Sequence, residues 1–237
     1  DPPSAAPYTD GMNEPVHSVP RTARAPRARA ETARTNDPAR TMADILAVAT
    51  HEFSEKGFSG ARVDDIAEAM RTSKRMIYYY FGSKEGLYLK VLEESYRRMR
   101  AMESAAHLDD LPPEDALRKL VGHTLDYQWG HPEFARLVQN ENIHRAQYLA
   151  QSKTIHKLNV PAIDGLRRVL ERGQVDGQFR AGIDPVDLHM SISALAVFQV
   201  SNRHTFSLIF QRDLESSKAQ IARRDSIIEM VVRFVRK

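Results

Sequence analysis

The stretch Phe58–Leu92, FSGARVDDIAEAMRTSKRMIYYYFGSKEGLYLKVL, decides the fold of this chain. Within it, Val63, Ile66 and Ala67 share one face at helical spacing, which predicts a short helix over about residues 63–70. Two aspartates follow Val63 in the first turn, where the helix dipole favours negative charge. A tight turn at residues 71–72 is expected to end this helix.

A second short helix is predicted over residues 74–80, because Ser73 is a typical N-cap residue. Its apolar anchors include Ile77 and Phe81, and Ser83 caps a longer helix that runs to about residue 102. Two short helices joined by a tight turn form a helix-turn-helix, whose first helix sets the second in the major groove of DNA.

The segment before this motif adds one more helix. Asp37-Pro38 combines an N-cap residue with a proline at the first helical position. Gly57 is placed to end that helix, with residues 58–60 as a connector. The apolar face of the helix is formed by Met42, Ile45, Leu46, Ala49 and Phe53. Residues 37–83 are therefore predicted to be a three-helix DNA-binding domain.

The remainder of the chain, residues 84–237, is also predicted to be helical, so the fold class is all-α. Prolines at His131-Pro132, Val160-Pro161 and Asp184-Pro185 indicate helix starts. No segment alternates strongly enough to predict a strand. The expected helices after residue 108 lie near 113–129, 132–144, 146–158, 161–174, 184–209 and 218–236.

Residues 1–36 are rich in proline, with few large apolar side chains, and are predicted to be disordered because little surface could be buried. Two interpretations stay open: a basic arm that follows the DNA backbone or enters the minor groove, or a solvated leader. The basic residues of this segment are Arg21, Arg24, Arg27, Arg29 and Arg34.

Composition narrows the class of protein. The absence of cysteine excludes disulfides, thiolate metal sites and thiol catalysis. No run of about 18 apolar residues exists and no secretory signal is visible, so we expect a cytoplasmic, nucleoid-associated protein outside any membrane. The net charge of +3 is a weak indication, but residues 71–84 hold four basic residues and no acidic one, as a phosphate contact requires.

These motifs resemble the DNA-binding domain of the tetracycline-repressor (TetR) family over about residues 40–100. The resemblance rests on Val63-x-x-Ile66-Ala67, on the run from Ser73-Lys74 through Ile77-Tyr78 to Tyr80-Phe81, and on Ser83-Lys84-Glu85-x-Leu87. It implies a homodimer that binds operator DNA, followed by a helical half with a ligand pocket and a dimer interface. Repression is the common behaviour of the family.

The resemblance also implies roles for individual residues. Lys74, Arg75, Met76 and Tyr79 would face the groove, and an arginine there can pair with guanine. Phosphate contacts would come from Tyr78 and Lys84, and from the helix start at Thr72 and Ser73. Packing is the alternative for the three tyrosines; it is preferred for Tyr80, and DNA contact for Tyr78 and Tyr79.

Two positions depart from the family pattern. Ala61-Arg62 stands where a threonine or serine is common, so the usual capping hydroxyl and its phosphate contact are missing. Arg62 is expected to serve phosphate instead. Arg75-Met76 stands where the family often has glycine or proline and then threonine, so no operator sequence can be transferred.

Candidate pocket residues are polar or aromatic side chains on otherwise apolar faces. For each one alone, a core or surface role is the alternative. Residues 140–142 and 173–185 resemble regulators of pyrimidine and aromatic-compound catabolism, which implies an aromatic or heterocyclic effector. The candidates are His123, Tyr127, Trp129, Phe134, Asn140, His144, Phe198, Asn202, His204 and Phe206.

Dimerisation is predicted through the helices near 184–209 and 218–236, packed as a four-helix interface. A ligand would move helix 83–102 like a lever and change the spacing of the two reading helices. The stripes expected at the interface are Ile192, Leu195, Ala196 and Gln199 on the first helix, and Ile221, Ile228, Val231, Val232 and Val235 on the second.

An enzyme is the rival class, but its motifs are missing. His51-Glu52 lacks the second histidine of a helical zinc protease, and no glycine-rich phosphate loop occurs. The sequence therefore predicts a non-enzymatic repressor, without cofactor or metal, released from a palindromic operator by a small molecule. The alternative is a DNA-binding dimer whose C-terminal half binds no small ligand and serves only dimerisation or a protein partner.

Overall fold

The computed structural model describes residues 37–237, and the arm predicted at residues 1–36 lies outside this range. The described part is helical, as predicted, and its only pairing of extended backbone is an isolated bridge between Phe179 and Arg236. None of its helices is both long and apolar enough to cross a membrane. The helices are α1 (Pro38–Gly60), α2 (Val63–Ala69), α3 (Lys74–Phe81), α4 (Lys84–Ser104), α5 (Pro113–Gly130), α6 (Pro132–Ile143), α7 (Lys153–Val175), α8 (Pro185–Ser201), α9 (Arg203–Phe210) and α10 (Ser217–Val235).

Helix α1 begins and bends where its sequence predicts, but residues 58–60, which were expected to be a connector, form its last turn. The Asp37 carboxylate accepts a hydrogen bond from the Ala39 amide at 3.0 Å, which caps the helix. Gly57 has a φ of 67°, a conformation that other residues adopt only with strain, and it kinks α1 before the last turn. A Cβ at Gly57 would also crowd the Asn140 side chain of α6, so the same glycine permits close approach of these helices.

The prediction of two helices, at residues 146–158 and 161–174, is wrong, because one helix spans residues 153–175. Residues 144–148 form turns, because Arg145 and Ala146 both adopt positive φ values after α6 ends, and Leu149–Gln151 form a short 3-10 helix. Ser152 then caps α7, and this helix passes through Pro161 without interruption. A proline inside a helix removes one backbone donor, but Pro161 is exposed, so water can satisfy the carbonyl oxygen that it frees.

The single helix predicted over 184–209 is also wrong, since it is two helices. The chain leaves helical geometry at Asn202 (φ −104°, ψ 4°) between α8 and α9. Just before the break, the Ser201 hydroxyl donates to the Val197 carbonyl oxygen, and the Asn202 side-chain amide donates to that of Phe198. Such side chains compete with the amide donors of the helix and favour its termination.

Two hydrophobic cores hold the described chain together. The N-terminal core joins α1, α2 and α3 to the first half of α4, and it also includes Leu137 of α6 and Ile155 of α7. The C-terminal core joins α5, α7, α8 and α10. Helix α4 supplies Leu87 to Leu92 to the N-terminal core and continues toward the second half of the molecule. The domain boundary after Ser83 stays a prediction.

The stripes assigned to a dimer interface are mostly wrong. Ile192 and Ala196 of α8 are buried in the C-terminal core of their own chain. The same holds for Ile228, Val231, Val232 and Val235 of α10. Both helices are apolar on more than one face, so spacing alone could not tell the inner face from the outer one. The exposed apolar residues of α8 and α10 are Val186, Met190, Phe198, Ile221, Met230 and Phe234.

Candidate nucleic-acid interface and ligand cavities

Helices α2 and α3 are joined by a turn over residues 70–73. Arg71 adopts a left-handed backbone conformation there, with a φ of 51°. The Thr72 amide donates to the Ala67 carbonyl oxygen at 3.0 Å, which closes the end of α2. The Ser73 hydroxyl accepts a hydrogen bond from the Met76 amide at 3.3 Å, as expected of an N-cap, and starts α3.

Helix α3 is anchored on its inner side. Ile77 and Phe81 are buried in the N-terminal core together with Phe53 of α1 and Ile66 of α2. Burying side chains of this size stabilises the fold by about 1.5–3 kcal/mol each. The half-buried Tyr80 packs on Phe81, with ring centroids 6.3 Å apart. The inner face thereby fixes which side of α3 turns outward.

The outer side of α3 carries most of the residues that the family resemblance assigns to DNA. Lys74, Arg75 and Tyr78 are exposed, and the ring of Tyr79 is 77% exposed. Met76 is half-buried, as is Thr72 at the preceding turn. Within residues 37–237, no carboxylate lies within 4 Å of the Arg75 guanidinium. A cation and an exposed ring on one short helix suit a partner that offers both phosphates and base edges.

Lys74 is less available than its sequence position suggests. Its ammonium lies 3.0 Å from the Asp64 carboxylate of α2 and 5.9 Å from the centre of the Tyr78 ring. The hydrogen bond that the Lys74 ammonium donates to Asp64 raises the pKa of Lys74. The sequence predicts only a favourable interaction of Asp64 with the helix dipole, because ten residues and a turn separate it from Lys74. Asp64 therefore belongs to the surface around α3, which the sequence did not indicate.

Two further cations flank α3. The side chain of Arg62 is exposed and lies 3.9 Å from Asp64, and α2 has no side-chain cap at this position. Instead, the Arg62 amide donates to the Glu52 carboxylate at 3.2 Å. The Lys84 ammonium lies 4.7 Å from the centre of the Phe58 ring, a cation–π contact that holds it at the start of α4.

The predicted pocket residues do not form one site. Tyr127 and Phe134 are buried with Met99 in a small cluster, and burial raises the pKa of Tyr127 to about 12. The Asn140 side chain lies against Gly57. The backbone carbonyl oxygen of Asn140 is 2.8 Å from Nδ1 of His144. His123 is half-buried on α5, and His204 is exposed on α9.

Four of the predicted residues do meet, at what we call the aromatic cavity. This cavity encloses about 440 Å³ where α5 and α8 end, and α9 and α10 complete its wall. The sequence had suggested these residues one by one from their type, and only the fold brings them together. They are Trp129, Phe198, Asn202 and Phe206.

A second cavity was not predicted. It encloses about 410 Å³ between α4, α5, α7 and the short 3-10 helix at Leu108–Asp110, and we call it the α4 cavity. Its wall includes Arg100 and Glu103 of α4, which form an ion pair and are both nearly buried. The Arg100 Nε donates to Asn159 at 2.9 Å, whereas Oε1 of Glu103 is buried without a partner. An i, i+3 charge pair usually lies on a solvated face, so the sequence gave no reason to expect it inside.

Comparison with known proteins agrees with this arrangement. Residues 45–91 match the family model of bacterial regulatory proteins of the tetR family, and residues 113–231 match the tetracyclin repressor-like C-terminal domain. The transcriptional repressor NicS of Pseudomonas putida is 37% identical over 198 residues, which cover 84% of this chain and 93% of NicS. The regulator RutR of Escherichia coli K12 is 32% identical over 150 residues, 63% of this chain and 69% of RutR.

Among solved structures, AibR in complex with isovaleryl coenzyme A and operator DNA superposes with a TM-score of 0.60. The superposition covers 80% of this chain and 96% of AibR, and the two sequences are 16% identical, so the likeness concerns the fold. These relatives are transcriptional regulators and not enzymes, and their family typically forms dimers. With its helix-turn-helix and its helical C-terminal half, the chain belongs to the TetR family of bacterial transcriptional regulators.

Proposed function

We propose that this protein is a dimeric repressor that binds a palindromic operator through α3 and leaves it when a small molecule binds the C-terminal half. The observation that carries the proposal is the two-sided character of α3. Ile77 and Phe81 fix its inner side, while Arg75 is exposed with no carboxylate within 4 Å in residues 37–237, and Tyr79, which meets only the edge of the Tyr80 ring, is 77% exposed. Such a helix can enter the major groove, where arginine reads guanine.

The dimer is assigned to the outer faces of α8 and α10. Met190, Met230 and Phe234 are exposed there. Large exposed apolar side chains on both helices suit an interface. In a two-fold dimer the same surface is used by both copies, and the two α3 helices then meet half-sites related by the same axis. This geometry is the reason to expect a palindromic operator.

The effector is assigned to the α4 cavity. Its volume is that of a small-molecule site, and the unpaired Oε1 of Glu103 offers a hydrogen-bond acceptor to a ligand. A buried acceptor without a hydrogen bond costs free energy, so a ligand that donates a hydrogen bond to Oε1 of Glu103 gains binding free energy. The ligand chemistry is otherwise open between aromatic and heterocyclic catabolites.

Helix α4 offers a direct path from this cavity to DNA. Its residues 87–92 lie in the N-terminal core, and residues 100 and 103 lie in the cavity wall, about 12 Å further along the helix axis. A ligand that favours one position of α4 would therefore shift the reading helices as well. The ligand can do so only if it binds one arrangement more tightly than the other.

The first experiment is a selection of bound sequences from a random DNA pool, which yields the operator and its half-site spacing. Recovery of an inverted repeat supports the dimer geometry, and recovery of an isolated half-site contradicts it. Genes beside the operator in the genome then suggest effectors to test.

The second experiment tests the effector. A metabolite library is screened for compounds that raise the melting temperature, since a ligand of the folded state stabilises it by mass action. Each hit is added to the protein–operator complex at fixed salt. The test variant is Glu103→Gln, and its control is Glu171→Gln, at an exposed acid of α7. Hits that leave operator binding unchanged would refute the sensor function while leaving DNA binding intact.

A further inference from the structure

The aromatic cavity has a chemistry that the repressor function does not use. It lies at the C-terminal ends of α5 and α8, away from the residues of the α4 cavity, and the two cavities share no residue. Its volume of about 440 Å³ is within the range of small-molecule sites. A ligand in the aromatic cavity would therefore contact none of the residues that line the proposed effector site.

Three aromatic rings contribute to the apolar part of the wall. Phe198 and Phe206 meet edge to face, with centroids 5.2 Å apart, and they remain 49% and 38% exposed. The half-buried Trp129 forms part of the wall from α5. Exposed rings are costly in water and favour a flat apolar ligand that can pack on their edges and faces.

Three guanidinium groups line the same cavity. Arg203 is already engaged: it lies 5.9 Å from the Trp129 ring centre and 2.9 Å from the Glu215 carboxylate. Arg212 and Arg223 are exposed, and across residues 37–237 neither has a carboxylate within 4 Å. None of the described residues that line the cavity is acidic. Two unneutralised guanidiniums beside aromatic rings select for negative charge, since arginine binds carboxylates in a bidentate manner.

We propose that the aromatic cavity is a second ligand site, distinct from the effector site, and that it binds aromatic carboxylates. The ring of the ligand packs on Phe198, Phe206 and Trp129, and its carboxylate pairs with Arg212 and Arg223. A second copy of the chain is a poorer occupant. A two-fold contact centred on the cavity would set these arginines against the same residues of the other copy, and like charges repel.

The test uses the fluorescence of Trp129, which is the only tryptophan of the chain and lies in the cavity wall. Benzoate and the neutral benzamide are titrated into the full-length protein, because they have nearly the same shape and differ in charge. We expect benzoate to change the fluorescence saturably and to bind at least about tenfold more tightly than benzamide, as a charge-assisted hydrogen bond implies.

The matched variants separate charge from fold. Arg212→Gln with Arg223→Gln should weaken benzoate binding about tenfold or more and leave benzamide unchanged. Arg233→Gln, an exposed arginine of α10 outside the cavity, should change neither. Circular dichroism verifies the fold of each protein, and Arg212→Gln alone replaces the double variant if that one is unfolded.

Two results would overturn the proposal. Equal binding of benzoate and benzamide, or no response to either, would show that the cavity does not select aromatic carboxylates. A Trp129 signal that depends on protein concentration and not on benzoate would show that a second copy covers the cavity instead.

Discussion

The ammonium of Lys74 and the carboxylate of Asp64 form an ion pair across the helix-turn-helix, 3.0 Å from nitrogen to oxygen. Both groups are exposed to water, so the pair is readily opened and adds little to the stability of the fold. Its effect is on the electrostatics of the surface that we propose binds DNA, because a negative charge lies beside the first cation of α3.

Asp64→Asn should therefore strengthen DNA binding. Removal of the carboxylate frees Lys74 for a phosphate, and one more phosphate contact steepens the dependence of log K on log salt by about one unit. Fluorescence anisotropy with operator and with unrelated DNA over a salt series measures both effects. Asp176→Asn, in the loop after α7, serves as the control for net charge. Weaker binding by Asp64→Asn would mean that Asp64 positions Lys74 for DNA.

Arg75→Ala should relax sequence preference. The guanidinium is exposed on the outer side of α3, and a good arginine–guanine contact discriminates by about 1–3 kcal/mol. Selection from a random DNA pool should then lose information at one position of each half-site, while binding to unrelated DNA falls only modestly. An unchanged consensus would remove Arg75 from base recognition.

Lys84→Ala should weaken binding to all DNA sequences alike. A phosphate contact carries no sequence information, so the salt dependence should flatten by about one unit and the consensus should remain. Lys157→Ala, an exposed lysine of α7, is the control. If Lys84→Ala lowers the melting temperature and leaves the salt dependence unchanged, its contact with Phe58 is structural and the phosphate assignment fails.

Gly86→Ala should destabilise the protein by about 1–3 kcal/mol, because a Cβ at residue 86 would overlap the Phe81 carbonyl oxygen at the end of α3. Gly130→Ala is the matched control at the end of α5, where a Cβ meets no atom within 4 Å. Alanine there should be neutral or stabilising by up to about 1 kcal/mol. Urea unfolding of both variants measures the difference, and equal stabilities would contradict the close approach of α3 and α4.

The free energy of unfolding should decrease as the pH is lowered from 6.5 to 4, because of His189. Burial, and to a smaller extent the charge of Arg100, lower the pKa of His189 to about 4, below its ordinary value of 6.5. Above pH 6.5 the imidazole is neutral in both states, so it adds no pH dependence. Between these values only the unfolded chain binds the proton, which costs up to about 3 kcal/mol of folding free energy.

His189→Gln isolates this effect from the other groups that titrate in the same range. The free energy of unfolding of the variant should depend less steeply on pH between 6.5 and 4 than that of the natural protein, with no difference in slope above pH 7. Superimposable pH profiles would show that His189 stays accessible to protons in the folded state.

Local sequence signals predicted the helix-turn-helix. Asp37, Ser73 and Ser83 cap the helices that they were expected to cap, since a capping bond joins residues two or three apart. The buried residues Ile66 and Ile77 were evident from helical spacing. Two helix boundaries were predicted wrongly. Val160-Pro161 indicated a helix start, but α7 continues through it. No signal indicated the break at Asn202, where side-chain competition favours the end of α8.

The sequence by itself determined the helical class, the helix-turn-helix and the family, because each depends on residues close together in the chain. Tertiary structure alone decided which faces of α8 and α10 are buried, and it brought Trp129 to Phe198 and Asp64 to Lys74. A helix with apolar residues on more than one face does not reveal its inner side by spacing alone, and an ion pair across a turn leaves no periodic pattern. Both depend on how helices pack, which spacing along one helix does not encode.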